Sequence, residues 1–197
     1  MPDLARVLVV AATARELAPA AGWRTLCCGV GPVEAAAATA AAIAAERPSA
    51  VLHVGIAGAR RRAALAPATL VVGAAAHYVD LMDGLPDAWA ARRVAPATVL
   101  LDAARRALPG ARVLPIGTSA RVGGSLGGDG AACLVEAMEG FAVLRAAERA
   151  GVPAVEVRAI ANDIEEQDRA RWHLDAAFAA VADATPLLVR EIARCVS

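Results

Sequence analysis

Three short stretches of the chain place acidic or amide side chains where they could do chemistry. The apolar periodicity of residues 134–150 predicts a helix, and Glu139 falls in the middle of its apolar face. An ionised carboxylate there is costly unless it is paired or faces a polar cavity. We therefore predict that Glu139 lines a pocket; a structural pairing with a buried arginine such as Arg158 is the alternative.

The other two stretches follow predicted strands. Glu16 comes just after the first strand, and a glutamate in the first turn of a short helix is ordinarily solvated. Asn162 and Asp163 follow the strand predicted at 154–160, and ligands of open α/β sheets gather at the carboxyl ends of strands. Because consecutive strand residues point to opposite faces, only one of this pair is expected to enter a pocket. A plain turn after the strand is the alternative.

The elements that must position these residues alternate between strands and helices. Short apolar runs predict strands, and alanine-rich or periodic segments bounded by proline or glycine predict helices. The predicted strands are 6–11, 24–30, 50–57, 69–79, 112–117 and 154–160; the predicted helices are 33–46, 98–108, 134–150 and 174–195; and 81–97 and 119–130 are predicted loops. This alternation predicts one α/β domain over residues 1–197, with helices packed on a largely parallel sheet.

The composition excludes several classes of protein. The chain has 197 residues and no net charge, since 20 acidic residues balance 20 basic ones, all of which are arginine. Scattered arginines without a basic stripe argue against nucleic-acid binding. No uncharged stretch reaches the roughly 20 apolar residues of a membrane-spanning helix, and no secretion signal is recognisable. We expect a cytoplasmic protein that binds neither nucleic acid nor membrane.

The sequence indicates neither a metal nor an organic cofactor. Its 4 cysteines show no CxxC or Cys/His spacing and are predicted to be free thiols. The glycine turn at residues 29–32 lacks the third glycine of the dinucleotide-binding fingerprint, and a chain without lysine cannot form a Walker-type phosphate loop.

Four motifs together resemble the nucleoside phosphorylase/nucleosidase superfamily. GVGPVEAA, VGIAGA, VEAMEG and VRAIAND occur in the order and approximate spacing of that family, at residues 29–36, 54–59, 135–140 and 157–163. The resemblance covers nearly the whole chain, and residues 165–174 look like the futalosine hydrolase branch. It implies a three-layer fold with a central mixed sheet, and a homo-oligomer in which a neighbouring subunit closes part of the site.

The activity implied by the resemblance is hydrolysis of the N-glycosidic bond of a purine nucleoside. In the futalosine hydrolase branch, futalosine would yield hypoxanthine and dehypoxanthinyl futalosine, a step of menaquinone biosynthesis. The implied substrate-binding residues are Ala57 and Gly58, beside the ribose and base, together with Glu136, Met138 and Glu139 of the VEAMEG motif. Of these, Glu139 matches the carboxylate that holds the ribose hydroxyls, and Met138 packs on the sugar.

The implied catalytic residues are Glu16, Asn162 and Asp163. Glu16 matches the glutamate that activates the attacking water, and Asn162 aligns with the purine-recognising position, which is aspartate in adenine-specific nucleosidases. An amide NH2 can donate to N7 and O6 of a 6-oxopurine, so Asn162 predicts a hypoxanthine-type base. A shift of the strand end by one residue would instead bring Asp163 into the pocket and favour adenine.

Other functions stay open at this point. They are a methylthioadenosine/S-adenosylhomocysteine nucleosidase, a purine nucleoside phosphorylase, and a catalytically silent nucleoside-binding module. A phosphorylase would need an arginine clamp, and Glu16 would repel phosphate. No aromatic residue for base stacking is identifiable in residues 117–133. The carboxylate tail of a futalosine-like substrate would need an arginine, for which Arg60, Arg92 and Arg121 are candidates.

Overall fold

The computed structural model describes residues 2–81, 86, 89–125 and 133–196. Strands and helices alternate within these ranges. The strands are β1 Val7–Ala11, β2 Arg24–Cys27, β3 Ala50–Ala59, β4 Leu70–Tyr78, β5 Arg93–Val94, β6 Arg112–Thr118, β7 Val135–Ala137 and β8 Ala154–Asp163. The α-helices are α1 Pro32–Glu46, α2 Thr98–Ala107, α3 Gly140–Arg149 and α4 Leu174–Cys195.

The strands form a mixed sheet centred on β3. Parallel pairs join β1 to β2 and β3, β3 to β8, β4 to β6, and β6 to β7. Antiparallel pairs join β3 to β7, β4 to β5, and β4 to β8. Because β3, β8, β4, β6 and β7 are paired in a ring, this half of the sheet closes on itself. The predicted α/β fold, with helices around a mixed and largely parallel sheet, is confirmed.

Helices cover both faces of the sheet, which explains why β1 is apolar throughout. In β1, Val7 and Val9 pack in the apolar layer shared with α2 and α4. The alternating residues Leu8 and Val10 pack in the opposite layer, with α1 and α3. A strand that is buried on both faces has no polar side and is therefore a continuous apolar run. Within the described residues, no helix is long and apolar enough to cross a membrane.

The prediction of a helix over residues 134–150 is wrong for residues 134–139. Residues Val135–Ala137 form β7, which pairs with both β3 and β6, and α3 begins only at Gly140. Non-local strand pairing here overrides the local helical periodicity. Glu139 therefore precedes the helix instead of lying on its apolar face.

Two other elements differ from the prediction. The second strand ends at Cys27 instead of residue 30, because the chain turns there toward α1. The loop predicted at 81–97 contains the short strand β5, paired with β4. Of the loops predicted at 81–97 and 119–130, residues 82–85, 87–88 and 126–130 lie outside the described residues.

Candidate active site

A cavity of about 220 Å³ opens where β1, β3, β6 and β8 reach their carboxyl ends. This is the edge of the sheet at which α/β proteins bind ligands. The cavity is lined by all of the predicted site residues except Asp163, namely Glu16, Ala57, Gly58, Glu136, Met138, Glu139 and Asn162. The tertiary structure thus brings together residues that are spread over most of the chain.

Glu16 is buried at the end of a single 3-10 turn, Ala14–Glu16, that follows β1. Its Oε2 accepts hydrogen bonds from the backbone N and Oγ1 of Thr13, both at 2.9 Å. Its Oε1 accepts from the backbone N of Ile56 in β3, at 3.1 Å. The interpretation of Glu16 as an ordinary solvated residue is therefore wrong, and the carboxylate is held in one orientation against the cavity.

Glu139 is buried on another wall of the same cavity, directly before α3. Its Oε1 accepts from the backbone N of Gly31 at 3.1 Å, and its Oε2 accepts from Nη2 of Arg158 at 3.3 Å. Gly31 can present its N–H here because it has a φ of 93°, which other residues rarely adopt. Both interpretations of Glu139 hold at once, since the carboxylate lines the cavity and also pairs with Arg158.

Arg158 lies fully buried between the two glutamates. Its Nε donates to Oε1 of Glu156 at 2.8 Å, and its Nη1 donates to the carbonyl of Ile56 at 3.4 Å. Gly55 leaves room for it, because a Cβ at that position would overlap the guanidinium and approach Oε1 of Glu16 to 2.6 Å. Through Ile56 and Gly55, the arginine connects the positions of Glu16 and Glu139.

His53 and Glu156 complete this buried group, and the sequence reasoning missed both. Nη2 of Arg158 lies 3.0 Å from Nε2 of His53, and since a guanidinium only donates, the imidazole nitrogen accepts. Burial, followed by the positive charge of Arg158, holds the pKa of His53 well below its usual value. Burial also raises the pKa of Glu156. One signal in the sequence could have revealed Glu156. It lies two residues before Arg158 in a predicted strand, and residues i and i+2 share one face of a strand.

Of the adjacent polar pair at the end of β8, Asn162 lines the cavity and Asp163 does not. The carboxylate of Asp163 is exposed and accepts from Nε of Arg61 at 3.3 Å. The prediction that one member of the pair enters the pocket agrees with this placement. The structure does not bring Asp163 to the other predicted catalytic residues, because the pairing of β3 with β8 turns it outward.

Gly58 lies between Glu136 and Asn162 on three adjacent strands. It is the direct partner of Glu136 in β7 and of Asn162 in β8. A Cβ at Gly58 would come within 2.9 Å of Ile164 and 3.2 Å of Nδ2 of Asn162, so glycine at this position lets both side chains pack directly on the strand. We call the part of the cavity lined by Glu136, Gly58, Asn162 and Ile164 the base slot.

Glu136 is buried and held by a dense set of donors. Its Oε1 accepts from Nη2 of Arg60 at 2.8 Å and from Oγ of Ser125 at 2.9 Å, and its Oε2 accepts from the backbone N of Ser125 at 2.6 Å. Arg60 is itself buried. This arginine, one of the candidates for a substrate carboxylate, is thus committed to Glu136.

Two aromatic residues that the sequence reasoning did not single out also line the cavity. Trp172 lies in the segment before α4, and Phe178 lies in the second turn of α4. The indole Nε1 of Trp172 donates to the carbonyl of Glu166 at 3.2 Å, which orients the ring. Among the described residues, no group of three or more His, Cys, Asp or Glu side chains is placed to hold a metal ion.

The fold and this cavity define the class of protein. The sequence profile of the Phosphorylase superfamily matches residues 24–194, and the chain belongs to this family. Within the family, it is 37% identical over 184 residues to the futalosine hydrolase of Streptomyces coelicolor, an alignment that covers 83% of this chain and 77% of the relative.

Solved structures share the fold at lower sequence identity. A 5′-methylthioadenosine/S-adenosylhomocysteine nucleosidase from Colwellia psychrerythraea 34H, in complex with adenine, superposes with a TM-score of 0.82 at 18% identity and covers 94% of both chains. The native futalosine hydrolase of Helicobacter pylori strain 26695 has a TM-score of 0.82 at 16% identity, with coverage of 94% of this chain and 97% of its own.

Proposed function

We propose that this protein hydrolyses the N-glycosidic bond of a purine nucleoside and that its substrate is futalosine, which it converts to hypoxanthine and dehypoxanthinyl futalosine in menaquinone biosynthesis. The observation that carries the proposal is the convergence of two buried carboxylates, Glu16 and Glu139, on one cavity that also contains Asn162. The 37% identical futalosine hydrolase supports the choice of substrate.

Glu139 binds the sugar. Cleavage of a glycosidic bond passes through a transition state with oxocarbenium-ion character, in which positive charge develops on the ribose. A carboxylate that accepts hydrogen bonds from the ribose hydroxyls stabilises this charge, and Glu139 is already oriented for this role by Gly31 and Arg158. Met138, adjacent in the cavity wall, packs against the sugar.

Glu16 orients the attacking water and takes its proton. A positioned general base of this kind contributes about 10²- to 10⁴-fold to a rate. The donors from Thr13 and Ile56 fix the plane of the carboxylate. Oε2 already accepts two hydrogen bonds from Thr13, while Oε1, which accepts from Ile56, keeps a lone pair that a water can use. The negative charge of Glu16 favours water over phosphate as the nucleophile.

The base slot recognises a 6-oxopurine. Neighbouring strands are about 4.8 Å apart, so the backbones at Glu136 and Asn162, on either side of Gly58, are about two strand spacings apart, and Ile164 packs over Gly58. Hypoxanthine presents acceptors at N7 and O6 and a donor at N1–H. Nδ2 of Asn162 already donates one N–H to the carbonyl of Asp163 at 2.8 Å, and its second N–H donates to one of these acceptors. The carboxylate of Glu136 accepts from N1–H.

The same slot disfavours adenine. Adenine has an unprotonated N1, whose lone pair would face the Glu136 carboxylate. A site that is built to pair with a particular donor rejects an analogue without that donor, because a buried polar group is then left unpaired. Asn162 also donates a hydrogen bond to the departing base, on which negative charge develops as the glycosidic bond breaks.

Phosphorolysis is the nearest alternative within the family. It requires a cation clamp for phosphate, and the buried arginines of the described structure are Arg60 and Arg158. Both already pair with carboxylates, Arg60 with Glu136 and Arg158 with Glu139 and Glu156. Neither of these guanidiniums is available for phosphate without breaking a buried ion pair. Arg121 lines the cavity but is exposed and would supply one cation instead of a clamp, so hydrolysis is the better-supported chemistry.

The proposal is tested by measuring the release of free base by the purified protein in phosphate-free buffer. We expect hypoxanthine from futalosine and little adenine from methylthioadenosine. Glu16→Gln should lower the rate about 10²- to 10⁴-fold. The matched control is Glu148→Gln, which changes an exposed glutamate on the surface of α3 and should leave the rate unchanged.

Three results would contradict the proposal. Adenine released from methylthioadenosine in preference to hypoxanthine would contradict the assignment of the base slot. Cleavage that depends on added phosphate would identify a phosphorylase. Binding without turnover of any nucleoside, unchanged in Glu16→Gln, would identify a nucleoside-binding module.

We also infer that the enzyme is a cytoplasmic homo-oligomer in which a second copy covers the opening of the cavity. Val30 and Val122 line the cavity and yet are 55% and 53% exposed, and Val33 nearby is 78% exposed. Apolar side chains clustered around an opening favour burial by another subunit. Sedimentation of the purified protein tests the inference: a monomer at micromolar concentration would contradict it.

A further inference from the structure

We propose that Arg15 and Phe178 form a subsite for the 5′ substituent of the nucleoside, which selects a substituent with a flat apolar body and an anionic end. The inference rests on the proposed function, and it assigns the recognition of the substrate's tail to residues that the sequence analysis did not consider. Futalosine carries a carboxylate on its 5′ substituent and so belongs to this class.

The walls left free by the base and ribose are apolar. With the base between Glu136 and Asn162 and the ribose at Glu139, the 5′ carbon is directed toward the rest of the cavity lining. The aromatic members of that lining are Phe178 and Trp172, and Val30 and Val122 also belong to it. An aromatic wall packs well against a flat, apolar group.

Arg15 provides positive charge at the edge of this wall. Its guanidinium carbon lies 4.6 Å from the centre of the Phe178 ring, within the range of a cation–π contact. It directly precedes Glu16, and its side chain is 65% exposed, so a ligand reaching out of the cavity along Phe178 can meet it. The phenyl ring of Phe178 therefore lines the cavity and also contacts the guanidinium of Arg15.

Asp175 holds the guanidinium in place when no ligand is bound. Oδ1 of Asp175 accepts from Nη2 of Arg15 at 2.8 Å, and Asp175 is 94% exposed. A guanidinium has five N–H donors, so a ligand carboxylate can bind beside Asp175 or replace it. Since the ion pair is exposed, exchanging one carboxylate for another costs little.

The arginines suggested by the sequence serve this role less well. Arg60 is buried against Glu136 and Ser125. Arg121 does line the cavity, but its loop continues through Gly124, which packs against Glu136 and Ile164 at the base slot. Arg121 therefore belongs to the end of the cavity that receives the base.

The subsite is tested by steady-state kinetics on two nucleosides with the same base and sugar, futalosine and inosine, at low ionic strength. We expect Arg15→Gln to raise the KM for futalosine about 5- to 10-fold and to change the KM for inosine less than about 2-fold. Arg15→Lys should recover part of the loss because it restores the charge. Asp175→Asn should act in the opposite direction and lower the KM for futalosine, since it removes a competing carboxylate.

Two further measurements make the result specific. Arg105→Gln, at an exposed arginine of α2 that pairs with Asp102, is the matched control and should change neither KM. In the wild-type protein, added salt should raise the KM for futalosine but not for inosine. Equal effects of Arg15→Gln on both nucleosides, or no effect on either, would overturn the proposal.

Failure of the subsite can be told apart from failure of the proposed function. If the wild-type protein hydrolyses neither nucleoside, the proposed function fails, and the subsite is then measured by the Kd values of futalosine and inosine. Tighter binding of futalosine that is lost in Arg15→Gln would support the subsite without catalysis. Equal Kd values for the two nucleosides would overturn it.

Discussion

Arg158 and Glu139 form a buried ion pair, with Nη2 of the arginine 3.3 Å from Oε2 of the glutamate. The arginine belongs to β8 and the glutamate precedes α3, so the pair joins two elements at the floor of the cavity. The other oxygen of Glu139 is held by the backbone of Gly31. The carboxylate is therefore oriented before any ligand arrives, and binding a ribose does not require it to reorganise.

Gly58→Ala is expected to close the base slot. The new methyl group would lie 2.9 Å from Ile164 and 3.2 Å from Nδ2 of Asn162, so the amide has to move. Moving a positioning group by about 1 Å can lower a reaction rate about 100-fold. We therefore expect kcat/KM of the variant to fall about 10- to 100-fold. Steady-state kinetics of hypoxanthine release checks this.

Gly110→Ala is the matched control for this substitution. A Cβ at Gly110 meets nothing within 4 Å, and its φ is not in the left-handed region. Activity and thermal stability should both stay at the wild-type level. A Gly58→Ala enzyme with wild-type kcat/KM would show that the positions of Asn162 and Ile164 beside Gly58 do not matter for catalysis.

Glu136→Gln is expected to change which purine is bound. The carboxylate accepts from N1–H of hypoxanthine, whereas a glutamine amide can also donate to the N1 lone pair of adenine. We expect the ratio of hypoxanthine to adenine affinity to fall about 10- to 100-fold. Calorimetric titration with the two free bases measures the ratio. Parallel losses for both bases would indicate that Glu136 only supports the fold through Arg60.

His53 should make stability depend on pH. In the folded protein its pKa is held well below the ordinary value of 6.5, so at lower pH the unfolded chain takes up a proton that the folded chain does not. The free energy of unfolding should therefore fall as the pH drops below 6.5, by at most about 1.4 kcal/mol per pH unit from this group. Above pH 6.5 this contribution is constant.

His53→Gln isolates that effect. The variant keeps an acceptor for Arg158. It also keeps Glu156, whose raised pKa changes stability in the opposite direction to His53: the stability that comes from the proton on Glu156 is lost as the pH rises through that pKa. Urea unfolding between pH 5 and pH 8 should give a shallower pH dependence for the variant. Parallel curves for the two proteins would contradict the prediction.

The cysteines should differ sharply in reactivity, although all are free thiols. Burial, followed by the charge of Glu139, raises the pKa of Cys28 to about 12, and burial with Glu136 raises that of Cys133 to about 11. Cys27, the neighbour of Cys28, is exposed. Because the thiolate is the reactive form, iodoacetamide at pH 8 should label Cys27 in the native protein and the two buried thiols only after unfolding. Peptide mass spectrometry reads out the labelling, and equal rates at Cys27 and Cys28 would contradict the prediction.

Long helices with clear boundaries were predictable from local sequence. The pattern predicts the final helix over 174–195, and α4 spans Leu174–Cys195, while α1 begins at Pro32, where proline costs no hydrogen bond. The strand β7 was not predictable in the same way. Its three residues Val135–Ala137 are strand only because β3 and β6 lie on either side, and this pairing has no signature in local periodicity.

The order of residues along the chain sets which side chains are available for chemistry and the alternation of strands and helices that carries them. How those side chains are used depends on the folded arrangement. It turned Asn162 inward and Asp163 outward through a shift in the register between β3 and β8 at Ala57 and Gly58. It also assigned Arg60 to Glu136 and Arg158 to Glu139. Register and ion pairing depend on contacts between residues far apart in the chain, and local pattern contains no information about them.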